Sequence, residues 1–122
     1  MMKLLLIDDD AFLRDMYALK FKECGYEVEV ADGAASALTK IQQSPHLDVI
    51  LLDMIMPGMS GPELITAISK QFPDLGVKCI VLSNQGQEED IAEAKKAGAV
   101  GYIIKAESIP SDVVKKVDEL LK

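Results

Sequence analysis

Hydrophobic residues along the chain fall into five short runs, separated by longer stretches with the 3.6-residue rhythm of amphipathic helices. The runs are Leu4 to Ile7, Tyr26 to Val30, Val49 to Leu52, Val77 to Leu82 and Tyr102 to Ile104. Such alternation predicts βα units, in which parallel strands are covered by helices. Four runs are mostly apolar, as in strands buried on both faces. In the second, Tyr26, Val28 and Val30 alternate with Glu27 and Glu29. One face of that strand therefore meets water, which places it at a sheet edge.

The helical stretches carry their own punctuation. Leu13, Met16, Tyr17, Phe21 and Cys24 share one side of a first helix, and Gly25 is placed to end it in a left-handed conformation. Ala34, Leu38 and Ile41 mark a second helix closed by Ser44-Pro45, and Pro62 suits the first turn of a third that turns Leu64, Ile65, Ile68 and Phe72 inward. Glu88, Glu89 and Asp90 open a fourth, where the helix dipole favours negative charge, and Gly98 ends it. Val113, Val117 and Leu120 mark the fifth. An edge strand in second position, with short right-handed crossovers, fits an α/β doubly wound (βα)5 sandwich of flavodoxin-like type, its parallel sheet ordered 2-1-3-4-5.

Length limits this to one domain over residues 1–122, since the chain can bury one sizeable core and not two. A net charge of −7 argues against nucleic-acid binding by this domain, because phosphate recognition needs clustered Lys and Arg. The apolar run after Lys3 is too short for a signal peptide and meets three aspartates, and no run is long enough to span a membrane. A cytoplasmic protein is expected, with Cys24 and Cys79 as buried thiols rather than a disulfide and His46 as a solvated loop residue.

In a doubly wound sheet, ligands bind beyond the carboxyl ends of the strands. Those ends hold Asp8-Asp9-Asp10, Asp53, Ser83-Asn84 and Lys105. Taken singly, each has a bland reading as a helix cap, a turn former or a solvated strand terminus. Together, Asp8, Asp9 and Asp53 repel one another unless a cation neutralises them, and a compact set of carboxylate oxygens suits Mg²⁺. Lys105 and Ser83 would supply a charge and a hydroxyl donor suited to phosphoryl oxygens, which makes Asp53 a candidate nucleophile.

These residues bring the chain to a known family. Ile7-Asp-Asp9, Leu52-Asp-Met-Ile-Met-Pro57 with Gly61, Leu82-Ser83 and Ile104-Lys105 resemble, in order and separation, the receiver domain of two-component response regulators. The resemblance covers essentially the whole chain. It implies that Asp53 is the phosphoacceptor, that Asp8 and Asp9 bind Mg²⁺ with it, and that Ile55 offers its backbone carbonyl to the ion. Ser83 and Lys105 would contact the phosphoryl group, and Tyr102 would turn inward as the Ser83 hydroxyl moves. Asp10 is expected in the first turn of the first helix, outside the ligand set.

The implied partners are a histidine kinase or phosphotransfer protein, docking near the first helix, and a downstream protein target reached through the face of helix four, strand five and helix five. The domain would be a switch rather than a turnover enzyme, and a monomer or a phosphorylation-dependent dimer. A stand-alone receiver and a receiver within a longer regulator both remain open. Three departures from the family pattern stand out: Ala106 stands where proline usually follows the lysine, Asn84 is larger than the usual small residue, and Ile55 and Gln85 flank the approach of hydrolytic water. Two rival readings remain, a receiver-like interaction module that is never phosphorylated and a haloacid-dehalogenase-type phosphatase with Asp8 as nucleophile. A flavin-binding module fits poorly, since an Asp-rich first turn repels an anionic cofactor.

Overall fold

A computed structural model of the chain describes residues 1–44 and 46–122; Pro45, expected to help close the second helix, lies outside the described residues. In chain order the elements are β1 Lys3–Ile7, α1 Ala11–Glu23, β2 Glu27–Ala31, α2 Ala34–Gln43, β3 Val49–Leu52 and α3 Gly61–Gln71. They continue with β4 Lys78–Ser83, α4 Glu88–Ala97, β5 Gly101–Ile104, a 3-10 turn Lys105–Glu107 and α5 Pro110–Leu120. All strand pairs are parallel, in the order β2-β1-β3-β4-β5. This is the doubly wound sheet that the alternating pattern predicts, with β2 at an edge.

Side chains that alternate along each strand separate the core into two layers. Leu4, Leu6, Val49, Leu51, Ile80, Leu82 and Ile103 pack under Tyr17 and Phe21 of α1 and Val113 and Val117 of α5. Leu5, Ile7, Ile50, Leu52, Cys79 and Val81 pack under Ile41, Leu64, Ile65, Ile68 and Ala94 from α2, α3 and α4. The three central strands are therefore buried on both faces, which explains their unbroken hydrophobicity. In β2 Glu27 is exposed and Glu29 half-buried, so its alternation reflects a half-solvated edge.

The helix ends follow the expected chemistry. Gly25 has φ +94°, with Tyr26 N–H donating to the Phe21 carbonyl, and Gly98 closes α4 at φ +121°. Ser60 caps α3 in a reciprocal box with Glu63, and Pro62 lies in its first turn.

Four local expectations are corrected. Cys24 is exposed; as the C-cap of α1 it has left the buried stripe, and only Cys79 is a buried thiol. Tyr26 lies just outside β2, where its ring meets Phe21 edge-on at 5.0 Å and its hydroxyl bonds Asp118 of α5. Strand β4 runs one residue later than the apolar run, since its pairing with β5 continues to Ser83, opposite Ile104. Asp10 is the N-cap of α1 rather than a first-turn residue: its Oδ1 accepts from Leu13 N–H at 3.1 Å.

Candidate phosphoacceptor site

Strand register gathers the site. Ile7 pairs with Leu52, Leu52 with Val81, and Val81 with Tyr102, so these four lie on one row across the sheet. Asp8 and Asp53 each follow that row by one residue on adjacent strands, and Ser83 follows it by two. Lys105 starts the 3-10 turn immediately after β5. Four chain segments that are distant in sequence thus reach one rim through residues that are each only one to three positions past the row.

At the centre, Lys105 Nζ stands 2.9 Å from Asp8 Oδ2 and 2.9 Å from Asp53 Oδ2. The side chains of Lys105, Asp8 and Asp53 are 7%, 2% and 14% exposed, so the bridge is shielded from water. Burial works to lower the Lys105 pKa, but the hydrogen bonds that its ammonium donates to the two carboxylates outweigh it and hold the pKa above its ordinary value. Asp8 is fixed further: its Oδ1 accepts from Asp10 N–H at 2.9 Å, and its backbone carbonyl accepts from Arg14 at 3.0 Å.

Asp8, Asp9 and Asp53 each present a carboxylate oxygen within 4.8 Å of the others. Three hard oxygen donors, one buried, one half-buried and one exposed, fit a small divalent cation that keeps part of its water shell. Asp10 stands outside this group because its carboxylate caps α1.

On the other flank, Ser83 is buried and its Oγ accepts from Gln85 N–H at 3.2 Å, while Tyr102 hydroxyl donates to the Gln85 carbonyl. Tyr102 is half-buried against the α2-α3-α4 layer. Burial and, after it, the charge of Asp90 raise its hydroxyl pKa, against a lowering by Ser83. Gln85, flagged in the sequence only as a residue near the water path, is therefore clasped through both its backbone groups. The Lys105-Ala106 bond is trans, as is every peptide bond among the described residues. Ile55 is 63% exposed, and its N–H lies 3.4 Å from Asp53 Oδ1.

Residues 4–118 match the response regulator receiver domain. The chain belongs to that family. This receiver is 35% identical over 122 residues to the chemotaxis protein CheY of Thermotoga maritima, covering 98% of each chain. It is 28% identical to the phosphate regulon transcriptional regulatory protein PhoB of Escherichia coli, covering 98% of this chain and 52% of that protein. It thus spans about half the length of the PhoB relatives it matches. Among solved structures, chemotaxis protein CheY4 of Vibrio cholerae superposes with a TM-score of 0.90 at 32% identity, covering 98% of each chain.

The receiver is accordingly a two-component signalling domain, a class that engages histidine kinases or phosphotransfer proteins and generally binds Mg²⁺. Membership over residues 4–118 replaces the haloacid-dehalogenase reading. Among the described residues no helix is long and apolar enough to cross a membrane.

Proposed function

We propose that residues 1–122 form one receiver domain that acts as a switch, taking a phosphoryl group from a histidine kinase or phosphotransfer protein onto Asp53. The observation that carries this reading is the bridge of Lys105 to Asp8 and Asp53, with Asp9 beside them: a nucleophile already paired with a fixed cation on a rim that also suits Mg²⁺. One Asp53 carboxylate oxygen attacks phosphorus in line. The new O–P bond forms as the donor's N–P bond breaks, and the donor imidazole leaves with that electron pair.

Lys105, already within reach of Asp53, stabilises negative charge on the transferring oxygens. Asp8, Asp9, Asp53 and the Ile55 carbonyl would hold Mg²⁺, which when bound supplies a second positive charge to those oxygens. Ser83 donates its hydroxyl to the phosphorylated side chain. Because Ser83 and Tyr102 clasp the same residue, Gln85, a shift of Ser83 toward Asp53 alters the support of the β4-α4 loop and of Tyr102. The α4-β5-α5 face then presents a second population to the downstream target.

The domain assists its own phosphorylation and dephosphorylation and catalyses no turnover reaction. Phe12 and Leu19 on α1 and Ile109 before α5 are exposed apolar side chains, which favours docking of the phosphodonor protein on that side. Function in the cytoplasm, as a monomer or a phosphorylation-dependent dimer, belongs to the same reading.

The decisive experiment mixes the protein with Mg²⁺ and acetyl phosphate and follows intact mass. One added phosphate, lost in Asp53→Asn, is expected. Uptake at an unchanged rate by Asp53→Asn would overturn the assignment, and no uptake by the wild type would favour a receiver-like module that is never phosphorylated.

A further inference from the structure

We infer that Gly61, the first residue of α3, is a positioning residue for Asp53, an inference that rests on the phosphoacceptor reading above. Its backbone N–H donates to the Met54 carbonyl at 2.8 Å, closing the loop that leaves β3 onto the start of α3. A Cβ placed on Gly61 would lie 2.5 Å from the backbone oxygen of Asp53, 3.1 Å from Met54 Cα and 3.3 Å from the Asp53 carbonyl carbon. All three neighbours are backbone atoms, so no side chain can rotate away to make room.

The requirement for glycine here is one of space. Gly61 is not among the glycines with positive φ, which are Gly25, Gly58, Gly76 and Gly98. Alanine could adopt its backbone conformation, and in a helix alanine is ordinarily the better residue. Only the approach of α3 to the Asp53 peptide opposes it.

The loop has few other ways to yield. Met54 and Met56 are buried in the core on either side of Ile55, and the Ser60-Glu63 capping box holds the start of α3. Moving from 2.5 Å to an ordinary 3.4 Å contact requires about 0.9 Å of displacement, and the atoms that must move are those of Asp53 itself. That residue's carboxylate meets Lys105 Nζ on one oxygen and faces Ile55 N–H on the other. A shift of this size at a reacting group costs on the order of 10²-fold in rate. Gly61 thus allows α3 to brace the phosphoacceptor peptide where the carboxylate meets its partners.

The test compares wild type, Gly61→Ala and Gly101→Ala. The atoms nearest a Cβ on Gly101 all belong to the Leu120 side chain, the closest at 2.4 Å, within the α1-α5 layer, so that variant reports the cost of an added methyl that does not press on the Asp53 peptide. In Gly61→Ala, Mg²⁺ affinity measured by titration is expected to fall by about 10- to 100-fold. Phosphorylation by acetyl phosphate should slow by on the order of 10²-fold. Amide shifts of Asp53 to Met56 should move already in the metal-free protein.

Gly101→Ala should lower Tm and leave both readouts within about twofold of wild type. A Gly61→Ala protein that lost Tm but kept wild-type Mg²⁺ affinity and phosphorylation would overturn the inference. If wild type itself takes up no phosphate on Asp53, the phosphoacceptor reading fails instead; the metal affinity and the metal-free shifts still decide whether Gly61 positions that residue. Should Gly61→Ala be too unstable to assay, the three proteins are compared in trimethylamine N-oxide, which favours the compact state.

Discussion

Lys105 Nζ meets Asp53 Oδ2 at 2.9 Å and holds Asp8 at the same distance, so a single ammonium satisfies two carboxylates that are 45 residues apart in the chain. Removing it leaves two shielded negative charges facing each other. Lys105→Ala is expected to lose about 3 kcal/mol in Mg²⁺-free chemical denaturation. It should gain more stability from added Mg²⁺ than wild type does, because the ion then relieves repulsion that Lys105 otherwise relieves. Equal Mg²⁺ gains in the two proteins would contradict this role for the bridge.

The same bridge sets an alkaline limit. Folding raises the Lys105 pKa, so the stabilisation is fully present below the ordinary lysine value of 10.5 and is lost as pH rises through the higher folded value. Denaturation midpoints of wild type should therefore fall above about pH 10.5 more steeply than those of Lys105→Ala. Parallel pH profiles would show that the bridge contributes nothing there.

Asp9 and Asp10 are neighbours with separate tasks. Asp9 presents its carboxylate to the acidic group, whereas Asp10 caps α1. Asp10→Ala should cost about 1 kcal/mol and leave Mg²⁺ binding intact. Asp9→Ala should abolish most of the Mg²⁺-dependent stabilisation, which at an ion concentration 100 times Kd is about 2.7 kcal/mol in wild type. A calorimetric scan with and without chelator separates the two.

The clasp on Gln85 predicts a local effect of Tyr102→Phe. Losing one hydrogen bond should cost about 1 kcal/mol and speed amide exchange at residues 84–87, with little change elsewhere. In wild type, the Tyr102 phenol should titrate above the ordinary value of 10 because it is partly buried. Unchanged exchange in the β4-α4 loop would remove the hydroxyl from any role in holding it.

The two cysteines should react differently. Burial pushes the Cys79 thiol up to about 11, while Cys24 is exposed. At pH 8 a thiol reagent is expected to label one site in the folded protein and two in denaturant. Because the neutral thiol is favoured by folding, Cys79 also costs stability as pH rises from its ordinary value of 9 towards 11.

Much of this architecture is readable from residue order alone, for physical reasons. Parallel strands buried on both faces must be apolar throughout, so Val49 to Leu52 and Leu4 to Ile7 declare themselves, and the charges that end them must lie where the sheet meets water. The alternating Glu27 and Glu29 likewise mark the edge, and Gly25, Pro62 and Gly98 mark helix ends by conformational constraint. Local chemistry of this kind is written within a few neighbouring residues.

What residue order could not settle depends on contacts across the fold. Whether Cys24 points into the core turns on where α1 stops, and the cap falls on that residue. Gln85 shows no motif, yet tertiary structure brings both Ser83 and Tyr102 to its backbone. Gly61 could be read as one more helix-start glycine, because the reason no side chain fits there is the carbonyl of Asp53, eight residues earlier, folded back to within 2.5 Å of the missing Cβ. Periodicity pointed to the doubly wound fold, and charges at the strand ends, together with the resemblance to receiver domains, singled out the candidate residues of the site. Their pairing, their burial and the space between them were decided by packing, which no single segment contains.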